Sequence, residues 1–151
     1  MKITILGIGN ILYSDEGFGV RVIEALRKLD LPENVELIEG GTDGAKLLPV
    51  IMQSDYLIIV DAIRADEDIG AIFRIPIEEV RQRPRINTSL HQVGIMEVIG
   101  MANILGSHVK GVIIGIQPKD ISTLRESLSP EIKKRIPNAI ELIMKEVCCY
   151  A

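Results

Sequence analysis

Ile3-Thr4-Ile5-Leu6-Gly7-Ile8-Gly9-Asn10-Ile11-Leu12-Tyr13-Ser14-Asp15-Glu16-Gly17-Phe18-Gly19 decides the architecture of this chain. Ile3 to Ile8 reads as an apolar strand that runs straight into a glycine-bent loop, and the loop delivers two acids to a helix start. Loops at strand ends of α/β sheets are where such folds hold their ligands. The helix is predicted by Phe18, Val22, Leu26 and Leu29, which recur at helical spacing while Arg21, Glu24, Arg27 and Lys28 face away. Asp15 suits its N-cap, and Asp30-Leu31-Pro32 suits its end.

The rest of the chain repeats the pattern. Val35 to Ile38 is a strand closed by Glu39-Gly40-Gly41-Thr42-Asp43-Gly44, and a helix over 46–53 follows, limited or kinked by Pro49. Tyr56 to Val60 is unbroken apolar sequence, as expected of a strand covered on both faces. Ala71 to Ile75 is a further strand, and Arg74 within it points to a sheet edge; 78–88 reads as irregular. From Gln92 to Leu105 Glu97 is the lone charge, which predicts a deeply packed helix, with Gly94 and Gly100 letting the sheet approach. Val109 to Ile116 forms another strand. Ser129 and Pro130 open a last helix with Ile132, Ile136, Ile140, Ile143 and Val147 on one stripe, which Pro137 should bend or split. The order β-α-β-α-β-β-α-β-α predicts an α/β fold, a three-layer α/β/α sandwich on a mostly parallel sheet of about five strands, in a single domain over residues 1–151.

Composition bounds the function. Hydrophobic residues make up 47% and charged residues 25%, the balance of a folded globular chain. With 17 basic against 21 acidic residues the net charge is −4, and the densest basic group, Arg81, Arg83 and Arg85, is short. A nucleic-acid partner is disfavoured. No apolar run approaches the roughly 18 residues a membrane span needs, so no membrane association is expected. Cys148 and Cys149 are the only cysteines; adjacent and without partners elsewhere, they read as free thiols in a reducing, cytoplasmic setting.

Three places carry chemistry. Gly7-Ile8-Gly9 invites a dinucleotide-binding reading, but the third glycine of that fingerprint would fall at Leu12, and Asp15 and Glu16 would repel a pyrophosphate. Glu16 taken alone suits any first helical turn. Asp61, after Tyr56 to Val60, either caps the next loop or faces a ligand at a strand end. His91, ahead of an apolar helix, taken alone is a capping or core residue. All three are expected at one sheet edge, where two carboxylates and one neutral imidazole would suit open coordination of nickel, zinc, manganese or cadmium. No serine or cysteine nucleophile motif is present.

Taken in order, Gly7-Ile8-Gly9-Asn10-Ile11-Leu12 with Asp15-Glu16-Gly17, then Gly40-Gly41-Thr42, Val60-Asp61-Ala62, and His91-Gln92 with Gly94 resemble the nickel-iron hydrogenase maturation endopeptidases, from Met1 to about Val147. The resemblance implies an α/β/α sandwich and removal of a C-terminal extension from the nickel-loaded precursor of a hydrogenase large subunit. It implies Glu16, Asp61 and His91 as the metal-contacting and catalytic residues, acting on the substrate's own nickel or on another divalent cation such as zinc or cadmium, with no tightly bound cofactor. Glu39 stands where the family commonly has Asp before Gly-Gly-Thr; Asp61 and Glu39 are the candidates for a general base. A monomer is expected, with an exposed groove for the substrate tail.

Two other readings compete. A peptidyl-tRNA hydrolase-like esterase also opens with a strand and a Gly-x-Gly-Asn loop, but it expects Pro-Gly after the Asn, where this chain has Ile11-Leu12. A metal-gated docking module or chaperone would bind the precursor without cutting it, since site residues alone do not prove hydrolysis.

Overall fold

The structure, a computed structural model, describes residues 1–41, 44–82 and 90–150, and for 81–82 and 90–93 the backbone alone. Five strands form one sheet: β1 (Ile3–Ile8), β2 (Val35–Gly41), β3 (Tyr56–Ala62), β4 (Ile72–Pro76) and β5 (Gly111–Ile116). Their spatial order is β2-β1-β3-β5-β4, and every pair is parallel except β4 with β5. The expected mostly parallel sheet is therefore present, and the strand carrying Arg74 is an edge strand. Central strands must be apolar on both faces, and all residues of β1 and β3 are buried.

Alternation divides these strands between two cores. On one face Ile3, Ile5, Ile58, Val60 and Ile114 meet Phe18 and Val22 of α1 (Phe18–Leu26) and Ile143 of α5 (Ile136–Tyr150). On the other, Leu6, Leu57, Ile59 and Ile113 meet Ile51 of α2 (Leu48–Gln53) and Ile95, Val98 and Ile99 of α3 (Leu90–Ile104). Each fully buried Ile or Leu contributes about 1.5–3 kcal/mol. Helices thus cover both faces, giving the three layers.

Prolines set two helix boundaries. Pro49 lies in the first turn of α2, where a missing N–H costs nothing, and the helix runs only six residues. α4 (Pro130–Lys133) begins behind Ser129, and Pro137 is the second residue of α5, so the last helix is split as expected. α3 departs from expectation. Its inner side is buried, but Met101 (51% exposed) and Ile104 (86%) face outward with Glu97, so the helix is half-packed. It is apolar on nearly every side, so periodicity could not show which residues face the sheet. Nor does Gly94 admit the sheet: a β-carbon added to it would meet nothing within 4 Å, and its close neighbour is instead Gly44, whose added β-carbon would stand 3.2 Å from the Gly94 carbonyl carbon.

On the face covered by α1 and α5, a polar cluster locks β4 and α5 to the first residue of β3. Glu146, buried, accepts from Arg74 Nε at 2.9 Å and Nη2 at 2.8 Å, and the Tyr56 hydroxyl donates to the same carboxylate. Tyr150 stacks on Tyr56 with ring centroids 3.8 Å apart. Hydrogen bonds from Arg74 hold the Glu146 carboxyl below the usual carboxylate range, and burial pushes the Tyr56 hydroxyl well above the phenol range.

Candidate functional site at the carboxyl edge of the sheet

The edge where the parallel strands end holds Asp61 and the turn that carries Glu16. Gly9 follows β1 with φ +137°, a conformation that suits glycine, and space there is closed as well. A β-carbon on Gly9 would lie 1.8 Å from the Glu16 carbonyl oxygen and 3.8 Å from Asp61 Oδ1. The Glu16 backbone and the Asp61 carboxylate therefore both come within 4 Å of a single point.

Asp61 is the sixth residue of β3 and fully buried. By alternation its side chain shares the face of Leu57 and Ile59, the face that α3 covers. The carboxylate is oriented by the Ala62 N–H, which donates to Oδ1 at 2.8 Å. Glu16 sits in a 3₁₀ turn, Ser14–Gly17, that precedes α1, and is part-exposed. His91 is the second residue of α3; its side chain lies outside the described residues, but the place of its helix is clear. Asn103 Oδ1 accepts from Val109 N–H at 2.9 Å, tying the far end of α3 to the approach to β5. At the near end Gly44, just beyond β2, packs on Gly94. The first turn of α3 thus begins at the edge where Glu16 and Asp61 lie. Among the described residues no three His, Cys, Asp or Glu side chains assemble to hold a metal.

Glu39 goes elsewhere. Its Oε1 accepts from Arg27 Nη1 at 2.6 Å, on the α1 side of the sheet, and the structure does not bring it to Asp61. Thr42, which follows Gly40-Gly41, lies outside the described residues.

Asp15 and Glu16, adjacent in sequence, point to opposite fates. Asp15 does not cap α1: the N-cap is Gly17, with no side-chain hydrogen bond. It is fully buried and turned toward the loop between β5 and α4. Its Oδ2 accepts from Lys119 N–H and Asp120 N–H, each at 2.9 Å, and from the Ser129 hydroxyl at 2.9 Å; its Oδ1 accepts from Ser129 N–H at 2.7 Å. Backbone bonds reinforce the seam: Asp15 N–H to Asp120 O, Ser14 N–H to Arg125 O and Arg125 N–H to Leu12 O. Ser14 adopts φ +52° here, and its Oγ accepts from Arg125 Nη2 at 2.9 Å. Within the same loop, hydrogen bonds from Thr123 and Ser122 hold the Asp120 carboxyl down at about 2.

Sequence reasoning also missed Gly19. Its added β-carbon would meet Val60 O at 2.2 Å and Ile8 O at 2.5 Å, so α1 lies directly on the backbones of β1 and β3. This is the close-packing job of the third glycine in a dinucleotide fingerprint, moved downstream by the inserted 3₁₀ turn. The paired Gly17-Phe18-Gly19 spacing was the available signal.

With this geometry in hand, known proteins supply a comparison. A family model described as hydrogenase maturation protease matches residues 20–146. The hydrogenase expression/formation protein HupD of Thiocapsa roseopersicina is 41% identical over 150 residues, covering 95% of this chain and 66% of that one. The hydrogenase 2 maturation protease of Escherichia coli is 35% identical, covering 95% of this chain and 89% of its own length. The solved structure of the hydrogenase maturating endopeptidase HybD from E. coli superposes with a TM-score of 0.89 at 33% identity, over 97% of this chain and 92% of that one.

Proposed function

The chain belongs to the hydrogenase maturation protease family and is a peptidase, and on that premise we propose that it removes a C-terminal extension from the nickel-loaded precursor of a nickel-iron hydrogenase large subunit. The observation that carries the reading is the meeting of the Glu16 turn and the Asp61 carboxylate around Gly9, at the edge where the first turn of α3, with His91 as its second residue, starts. Glu16, Asp61 and His91 then complete the coordination of nickel that arrives with the substrate. An oxygen, oxygen, nitrogen set with open positions suits a metal shared with another protein's ligands.

Hydrolysis breaks the scissile C–N bond and forms a C–O bond to water, whose proton ends on the leaving amine. Lewis-acid polarisation of the carbonyl by the substrate's metal would assist the attack. Asp61, already held by the Ala62 N–H, is the better placed of the two candidate bases, because Glu39 is engaged by Arg27 on the other face. The protein works as a monomer, in the cytoplasm, without a resident cofactor. The two free cysteines favour a reducing setting, and no helix among the described residues is long and apolar enough to cross a membrane.

The test is mass spectrometry of nickel-loaded precursor incubated with the protein and with Glu16→Gln, Asp61→Asn and His91→Ala. Loss of a C-terminal peptide with the unsubstituted protein, and its abolition in the three variants, is expected. Complex formation with the precursor mass retained would mean docking without cleavage.

A further inference from the structure

Asp15 has no part in the chemistry proposed above, yet it is the more heavily bonded of the two neighbouring acids. Four donors converge on one fully buried carboxylate, three of them backbone N–H groups more than a hundred residues away in the chain. An amide cannot match such a set, because its NH₂ would face donors. The anchored turn is only four residues long, so its far side and its near side move together. On the near side the Glu16 carbonyl already stands close to Gly9, with no room for a β-carbon between them.

We propose that Asp15 is a positioning residue for Glu16: it bolts the 3₁₀ turn to the 118–129 loop and so fixes where the Glu16 carboxylate stands relative to Asp61. The proposal rests on the processing function above. A turn held from behind by fixed backbone donors spends no ordering entropy when substrate arrives, and a displacement of about 1 Å at a reacting group can cost on the order of a hundredfold in rate. The clamp also explains why Ser14 is held at positive φ: the backbone must reverse there so that Asp15 turns inward while Glu16 turns out.

The experiment compares Asp15→Asn with Glu146→Gln, a control whose carboxylate is bonded to Tyr56 and Arg74 and not to the Asp15 turn or the 118–129 loop. Steady-state cleavage of nickel-loaded precursor should show kcat reduced about 10- to 100-fold by Asp15→Asn with KM within about twofold, while Glu146→Gln keeps kcat. Amide hydrogen exchange should accelerate at least about tenfold over residues 12–17 and 118–129 in Asp15→Asn, with β1 and β3 unchanged. A kcat loss no larger than in Glu146→Gln, a change confined to KM, or unaltered exchange in the two loops would each overturn the proposal. Should Asp15→Asn not fold, Ser129→Ala removes one donor of the four and should give the same pattern at about two- to tenfold. If the unsubstituted protein leaves the precursor intact, the processing reading fails, and the exchange measurement still decides whether Asp15 holds the turn.

Discussion

Substituting Gly19 with alanine tests whether the helix carrying the first loop must touch the sheet backbone. The new methyl would stand 2.2 Å from Val60 O, 2.5 Å from Ile8 O and 2.7 Å from Ile8 N, all backbone atoms of the two central strands. None of these can swing aside, so α1 must lift. Overpacking a tight core typically costs 1–3 kcal/mol, and three rigid contacts put this case at about 3 kcal/mol or more. For a chain of 151 residues, roughly 2–4 °C of melting temperature is lost per kcal/mol, giving about 6–12 °C. Gly41→Ala is the matched control: Gly41 has φ +58° but nothing within 4 Å of its added β-carbon. That change costs only the left-handed strain of about 1–2 kcal/mol. Thermal and urea unfolding of both variants decide the matter. A Gly19→Ala midpoint no lower than that of Gly41→Ala would refute the close-approach reasoning. Because lifting α1 also drags the 3₁₀ turn before it, cleavage by Gly19→Ala should fall even at temperatures where it is folded.

Three further outcomes follow from the same contacts. Glu146→Gln should destabilise by about 1–3 kcal/mol at pH 7, below the usual cost of breaking a buried pair because Arg74 is 41% exposed. Glu146 has a depressed folded pKa, so its contribution is complete above the unfolded value of about 4.3 and fades as pH falls through the lower folded one; melting curves of the two proteins should converge in that acid window and stay apart above it. Arg27→Ala should cost no more than about 1 kcal/mol, and less in 1 M salt, since its pair with Glu39 is half-exposed; a larger loss in urea unfolding would mean the pair is buried in solution. Ile104→Ser should change stability by less than about 0.5 kcal/mol because that side chain is 86% exposed, and chemical denaturation checks it.

Much of the layering was legible because central parallel strands must be apolar on both sides, and Tyr56 to Val60 obeys that without interruption. Arg74 marked the edge strand for the converse reason: a charge cannot sit between two covering layers, and here it reaches out to Glu146. Pro137 announced the break in the last helix through its missing donor. The packed side of α3 was not legible, since a helix apolar on nearly every side carries no stripe to read. At the site, Asp61 could be located from its place at a strand end. The division of labour between Asp15 and Glu16 could not, because both acids suit a first helical turn equally well. What separates them is a loop that begins after β5, and only tertiary folding brings its donors to Asp15. Glu39 illustrates the same limit: its partner Arg27 is set by how α1 ends over β2, which no local pattern encodes.

The stack of Tyr150 on Tyr56 has a practical corollary. It fixes the last turns of α5 beside the first residue of β3, whereas Asp61 lies five residues along that strand, roughly 17 Å away. Cys148 and Cys149 are exposed on those same turns and are the chain's only thiols. A maleimide dye coupled there would ride on rigid scaffold, clear of the working rim, and could report by energy transfer on a labelled partner arriving at the far end.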